Sequence, residues 1–435
     1  MQTLLTLSVA LIAGLMLSRL TKIWNLPAVT AYLVAGILIG PYCLGRLGIP
    51  GLGFISSADV ASYSLISDVA LGFIAIAMGN EFRVKELKKI GKQAVVIAVF
   101  QALVAVLFVD AALIGLHFLM PEQLPLSCAV TLGAIAAATA PAATLMVVKQ
   151  YKADGPLTRM LLPVVALDDV VGLFAFAISF GIARALESGQ MDILSVLVNP
   201  LIEIVASLLL GAVLGWLFHL TERFFHSRSK RMSISVCYVF LAVGLSKMEF
   251  HFGGVTLGFS SLLVCMMLGT VFCNLCEFSE ELMDRIDRWT GPVMVLFFVI
   301  SGAGLELSVF SQWQIVLVGI VFIVFRSAGK MFGAGTSAKF MHCEPAIQKY
   351  LGITLLPQAG VSLGMSLTAI TVLTAMGTPE AIEAGIVIRN ISLFAVLIYE
   401  LVGPLLTKIA LDKAGEISEK PLPPRAQGKS DIDRT

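Results

Sequence analysis

Two adjacent aspartates, Asp168 and Asp169, stand in Leu161–Phe180, a run with no other charged side chain and long enough to cross a bilayer. On insertion scales one carboxylate at mid-membrane costs about 2.5–3.5 kcal/mol, and a second beside it adds like-charge repulsion. The apolar stretch opens near Leu157, so at about 1.5 Å per residue Asp168 lies about 17 Å along a hydrocarbon core about 30 Å thick. Such a pair must face other helices or a water-filled cavity. Intramembrane ionisable groups mark ion pathways and proton relays. The plain alternative is a hydrogen-bonded pair that only joins helices.

Three further constellations could complete a site of this kind. Arg326 and Lys330 lie four apart in the run 312–339 and so share one helix face near mid-depth. Cations facing lipid are as costly as the aspartates, so mutual neutralisation across helices is expected. Lys330 can also lose its proton, whereas Arg326 in effect cannot. Pro141 removes a backbone donor in the middle of the run 126–149 and disfavours helix at Ala140, which frees carbonyls and the Thr139 hydroxyl to face a site. A matching break at Pro357-Gln358-Ala359-Gly360 is richer in breakers and carries a polar amide. Unwound backbone at membrane depth is tolerated where it is buried in protein or lines a cavity, and it can supply cation ligands. A simple proline kink is the alternative for either break alone. Of lesser weight are Arg389, read as structural; Glu81 and Glu306, at helix ends, guiding cations or merely solvated; and Asp110, for which sequence offers no partner. His226 and His342 fall in loops assigned to the cytoplasm, where exposed histidines usually titrate without consequence.

The elements that must position these residues are membrane spans. Of 435 residues 57% are hydrophobic and only 14% charged, against about 25% charged in soluble domains. About thirteen apolar runs follow one another from residue 2 to residue 411, so the expected class is an all-α polytopic membrane protein of about 13 transmembrane helices. A short polar tail, 412–435, closes the chain. The first run carries no charge before Arg19, the reverse of a signal peptide, and reads as a spanning helix with its N-terminus outside. Alternate loops then hold 24 of the 30 lysines and arginines, which by the positive-inside rule makes the C-terminus cytoplasmic. Seven cysteines, mostly in or beside apolar runs, read as small core residues, and the pair Cys273 and Cys276 lacks the further ligands zinc would need.

Landmarks recur in two halves. Gly40, Gly79-Asn80-Glu81-Phe82, Pro141 and Asp168-Asp169 are followed at similar separations by Gly269, Gly304-Leu305-Glu306-Leu307, Pro357 and Arg389-Asn390. The halves, about 1–186 and 232–411, flank a central run near 196–220 and so have opposite topology. An inverted repeat with interrupted helices in matching positions points to a secondary transporter.

Asp168-Asp169 in mid-helix, the break at Thr139-Ala140-Pro141, Gly329-Lys330 and Pro357-Gln358-Ala359-Gly360-Val361 together resemble the cation/proton antiporter superfamily, in its aspartate-pair branch of bacterial sodium/proton antiporters. Pro27-Ala28-Val29 through Gly40-Pro41 and Gly79-Asn80-Glu81-Phe82 are similar to that family's second and third helices, and Asn80 stands where a Leu-like residue is usual. The resemblance spans 1–411 and implies a homodimer whose core domain, built from two crossing broken helices, moves against a dimerisation domain. It implies that Asp169 binds the cation or proton, that Asp168 pairs with Lys330, and that Thr139 lies near the ion, so that Asp169, Asp168 and Thr139 hold the cation. Pro141, Pro357, Gln358 and Gly360 would support the breaks.

Burial and a neighbouring like charge let a carboxylate take up protons near neutral pH, and competition of proton and cation for it is antiport. The expected function is exchange of a monovalent cation, Na⁺ first and Li⁺ or K⁺ as alternatives, for H⁺ across the cell membrane. If Lys330 also gains and loses a proton, two protons exchange for one cation and the cycle is electrogenic. No cofactor, enzymatic activity or nucleic-acid partner is expected. A gated K⁺ efflux system of the same superfamily is the nearest rival, although those relatives usually add a nucleotide-binding domain. The glycine pattern at Gly333–Ala338 lies inside a span with no strand before it and is discounted. An intramembrane aspartyl protease needs its aspartates on separate helices, whereas Asp168 and Asp169 are adjacent.

Overall fold

The structure, a computed structural model, describes residues 2–21, 23, 26–49, 51–80, 83–188, 193–225, 227–248, 250–252, 255–276, 278–305 and 313–417. In chain order its helices are α1 (Gln2–Thr21), α2 (Ala28–Ile39), α3 (Ser57–Ala61), α4 (Ser64–Asn80), α5 (Val84–His117), α6 (Leu126–Ile135), α7 (Pro141–Gln150), α8 (Pro156–Ser188), α9 (Ile193–Glu222) and α10 (Arg228–Ser246). They continue as α11 (Ser261–Leu275), α12 (Ser279–Ala303), α13 (Trp313–Phe340), α14 (Pro345–Thr354), α15 (Gly360–Ala375) and α16 (Pro379–Lys413). A short antiparallel ribbon pairs β1 (Phe250–Phe252) with β2 (Val255–Leu257).

Each apolar run falls on one helix or on one interrupted pair, α6–α7 or α14–α15. Among the described residues, eight helical stretches are long and apolar enough to cross a membrane by length and composition: α1, Ala28–Leu47 (α2 and the 3₁₀ turn after it), and stretches within α5, α8, α9, α12, α13 and α16. Two begin well before their apolar runs, α5 at Val84 and α12 at Ser279. Their polar openings, rich in Lys, Glu and Arg, are strong helix formers, so hydropathy marks the part that can enter lipid and not the whole helix. The apolar runs that begin near 93, 157, 312 and 349 are longer than one vertical span needs, which in sequence suggests tilt or a break. Only the last is interrupted; α5, α8 and α13 are continuous over 34, 33 and 28 residues, with Pro163 accommodated inside α8. The ribbon, α3 and a 3₁₀ turn at Leu44–Leu47 had no periodic signal in sequence.

The chain forms two compact units. One comprises residues 1–57, 93–193 and 298–435, the other 58–92 and 194–297, so each takes segments from both halves of the chain. In the first, a core including Leu132, Phe176, Phe180, Phe322 and Phe394 joins α5, α6, α8, α13, α15 and α16. In the second, Phe218 stacks between Phe272, at 4.0 Å between ring centroids, and Tyr238, at 4.9 Å. Large apolar side chains also point outward, such as Leu107, 65% exposed, and Leu209, 62% exposed. That is the face a bilayer solvates and water does not.

Candidate functional site

The two helix breaks meet inside the first unit. Helix α6 ends at Ile135 and α7 restarts at Pro141, whose missing N–H costs nothing at a helix start. Ala140 between them is extended, with φ −84° and ψ 106°. Helix α14 ends at Thr354 and α15 restarts at Gly360. The Ala140 N–H donates to the Pro357 carbonyl at 2.8 Å, and Gln358 Nε2 donates to the Ile135 carbonyl at 3.0 Å. Each break thus satisfies part of the backbone that the other leaves open.

Asp168, on α8, is held at this crossing and is fully buried. Its Oδ2 accepts from Lys330 Nζ at 2.7 Å and from the Thr139 hydroxyl, and its Oδ1 accepts from Gln101 Nε2. Lys330 Nζ also donates to the Ala137 carbonyl at 2.5 Å and to Thr139 Oγ1 at 3.0 Å, so all three ammonium donors have acceptors. The Thr139 hydroxyl also lies 3.2 Å from the Leu355 carbonyl of the second break. Helices α5 and α13 come close enough to deliver Gln101 and Lys330 because glycines sit at the contact. A Cβ on Gly329 would lie 2.8 Å from Ala105 Cα, and one on Gly333 would lie 2.8 Å from Gln101 Cα. Neither is a distance that real side chains adopt.

Arg326 does not pair with an aspartate. Its Nε donates to the Ala136 carbonyl at 3.0 Å, Nη2 to Ala138 at 2.6 Å and Nη1 to Leu356 at 2.8 Å, and its guanidinium lies 4.5 Å from the Tyr399 ring centroid. The physical reason is geometric. A planar fork of donors suits several carbonyls at once, and two helices ending here each present about half a negative charge. Lys330 is therefore the cation spent on the aspartates, and Arg326 the one spent on the breaks.

Asp169 stands apart from Asp168, and in the Asp168 network only Gln101 Oε1 is also left without a partner among the described residues. Asp169 is fully buried, and neither carboxylate oxygen has a hydrogen-bond partner among the described residues. Gln358 Oε1 and the Ser362 hydroxyl are likewise buried without a partner.

Of the other residues singled out in sequence, Pro141 and Gly360 open α7 and α15, Pro357 accepts the bond between the breaks, and Arg389 is half-buried in α16. Glu81, Glu306 and His226 lie outside the described residues. Asp110 packs its carboxylate directly over Gly133 of α6. Sequence reasoning missed Gln101, whose signal was an amide within a membrane span, and Ser362, which nothing distinguished from other span serines. It also missed Glu416. That carboxylate accepts from the backbone of Leu157 at 2.6 Å and of Thr158 at 2.8 Å, and so caps the aspartate helix from the far end of the chain.

Crossed interrupted helices, an aspartate pair between them and a lysine bound to one aspartate define a member of the cation/proton antiporter superfamily. Residues 7–413 match the family model for the transmembrane sodium/hydrogen exchanger, and the chain belongs to that family. It is a multi-pass membrane protein. It is 22% identical to the high-affinity Na⁺/H⁺ antiporter NhaS3 of Synechocystis over 311 residues, a match spanning 66% of this chain and 64% of that protein. It is also 22% identical to the K⁺/H⁺ antiporter subunit KhtU of Bacillus subtilis, over 86% of this chain and 85% of that one. Two structures of the sodium proton antiporter MjNhaP1 from Methanocaldococcus jannaschii share the fold at 17% identity. The one at pH 8 has a TM-score of 0.67 over 96% of this chain and 100% of that one; the other has a TM-score of 0.73 over 96% of each.

Proposed function

We propose that the protein is a secondary-active antiporter that exchanges a monovalent cation for protons by alternating access, with cation and proton competing for Asp169. One observation carries this reading: Asp168 is fully compensated by Lys330, Thr139 and Gln101, while the adjacent, equally buried Asp169 has no partner among the described residues. A bare carboxylate in that position is costly, and either a proton or a cation removes the charge. Both forms cross the low-dielectric interior and the bare form does not, which is the coupling rule of an exchanger. Asp168 and Lys330 form an ion pair beside the exchanging group, and Thr139 links that pair to both breaks.

Na⁺ is the first candidate ion, followed by Li⁺ and K⁺. The likeness to a K⁺/H⁺ antiporter subunit over most of the chain favours K⁺ as the second reading. The same proposal takes the protein as a homodimer of inverted halves in the cell membrane, N-terminus outside and C-terminus in the cytoplasm, with a role in pH homeostasis. Acid-loaded proteoliposomes given Na⁺, Li⁺ or K⁺ in turn test it. The expected result is luminal alkalinisation with at least one of the three, Na⁺ giving the lowest half-saturating concentration. A cation flux without proton counter-movement would set the antiport reading aside in favour of a channel.

A further inference from the structure

Apart from Gln101 Oε1, beside Asp168, the free oxygens of the site lie on Asp169 and on the second broken helix. Thr139 and both oxygens of Asp168 are engaged, whereas Asp169 Oδ1 and Oδ2, Gln358 Oε1 and Ser362 Oγ are buried with no hydrogen-bond partner among the described residues. Relative exposure is 0% for Asp169 and Ser362 and 1% for Gln358. Two contacts fix how α8 passes the second broken helix. Thr139 Oγ1 touches both Asp168 and the Leu355 carbonyl. Four residues further along α8, a Cβ on Gly172 would lie 3.7 Å from Met365 Cε. The two segments therefore run in the same direction, and the aspartate stretch of α8 passes the stretch from Leu355 to Met365, which contains Gln358 and Ser362. Asp169 and Gly172 are three apart on α8, as are Ser362 and Met365 on α15, and residues three apart share a helix face.

We infer that the transported ion, a dehydrated monovalent cation, is held between α8 and α15, with Ser362 Oγ and Gln358 Oε1 as neutral ligands opposite the Asp169 carboxylate. This rests on the antiport reading above. The Gln358 amide nitrogen is fixed on the Ile135 carbonyl, which leaves its oxygen as the atom on offer. A serine hydroxyl suits a site that alternates between occupants, because it donates to a bare carboxylate and turns its lone pairs to a cation. Hard monovalent and divalent cations take such oxygen ligands. Because Ser362 and Gln358 flank the second break, binding joins that break to the aspartate helix, and the lysine frame need not rearrange.

Cation-evoked alkalinisation by reconstituted Ser362→Ala and Ser362→Thr, with Asp169→Asn as the control, tests the inference. Loss of a ligand predicts a half-saturating cation concentration raised about tenfold or more in Ser362→Ala, the equivalent of one good hydrogen bond. Ser362→Thr should return most of the affinity. A wild-type cation dependence in Ser362→Ala overturns the inference. Should that variant fail to fold, anomalous scattering from Tl⁺ in crystals of the unaltered protein decides. A peak bracketed by Asp169, Ser362 and Gln358 supports the site. A peak on Asp168 and Thr139, or none in protein that exchanges Tl⁺, overturns it. Wild-type vesicles with no Asp169-dependent exchange would instead sink the antiport reading itself.

Discussion

At Lys330 a single ammonium satisfies a carboxylate, a hydroxyl and a carbonyl in a fully buried position. Removing one member of a buried ion pair costs about 3–5 kcal/mol, because the other charge is left unmatched. Lys330→Ala should therefore lower the midpoint of thermal unfolding sharply in detergent. The pair Lys330→Met with Asp168→Asn should recover much of the loss, since no uncompensated charge remains. If Lys330→Ala melts at the wild-type temperature, Lys330 is not the counter-charge of Asp168. The sequence placed Lys330 and Arg326 on one face and expected both to neutralise aspartates. Spacing alone could not divide them, although the family resemblance gave Lys330 to Asp168, because the division depends on which carbonyls the breaks leave open.

At the scale of elements, the position of α8 decides where both aspartates lie, and its N-terminal start is fixed from outside the helix. Glu416 accepts from two amides of its first turn and from the Thr158 hydroxyl at 2.7 Å. A Cβ on Gly155 would collide with that carboxylate side chain. A carboxylate on a helix N-terminus is worth about 1–2 kcal/mol through capping and the helix dipole. Glu416→Ala should accelerate amide hydrogen exchange at 157 and 158 while leaving α13 unchanged, and equal exchange in both proteins would show that the cap contributes nothing. Nothing in the sequence pointed to this contact, since it joins residues 258 and 259 positions apart. The helix breaks, by contrast, were legible to within a few residues. Pro141 and the Pro357–Gly360 cluster disfavour regular helix through local backbone chemistry, although Pro163 inside α8 shows that a lone proline can be absorbed. Helix starts such as Val84 and Ser279 were not legible from hydropathy, because a polar helix leaves no apolar period to read.

For the whole molecule, composition and the succession of apolar runs sufficed for a helical membrane protein, because no other solvent tolerates so few charges over so long a chain. The family resemblance implied Asp169 as the exchanging group, and the structure adds a physical difference between the two aspartates on which the proposal rests. Asp168 and Asp169 are alike in sequence and in burial, and only their partners separate them: three donors on one, none among the described residues on the other. The account as a whole therefore turns on Asp169. Proton movement in acid-loaded proteoliposomes, comparing wild type with Asp169→Asn at equal reconstitution, tests it most directly. The account predicts cation-evoked alkalinisation in wild type and none in Asp169→Asn, whose amide can neither release a proton nor balance a cation. Exchange at the wild-type rate in Asp169→Asn would contradict it.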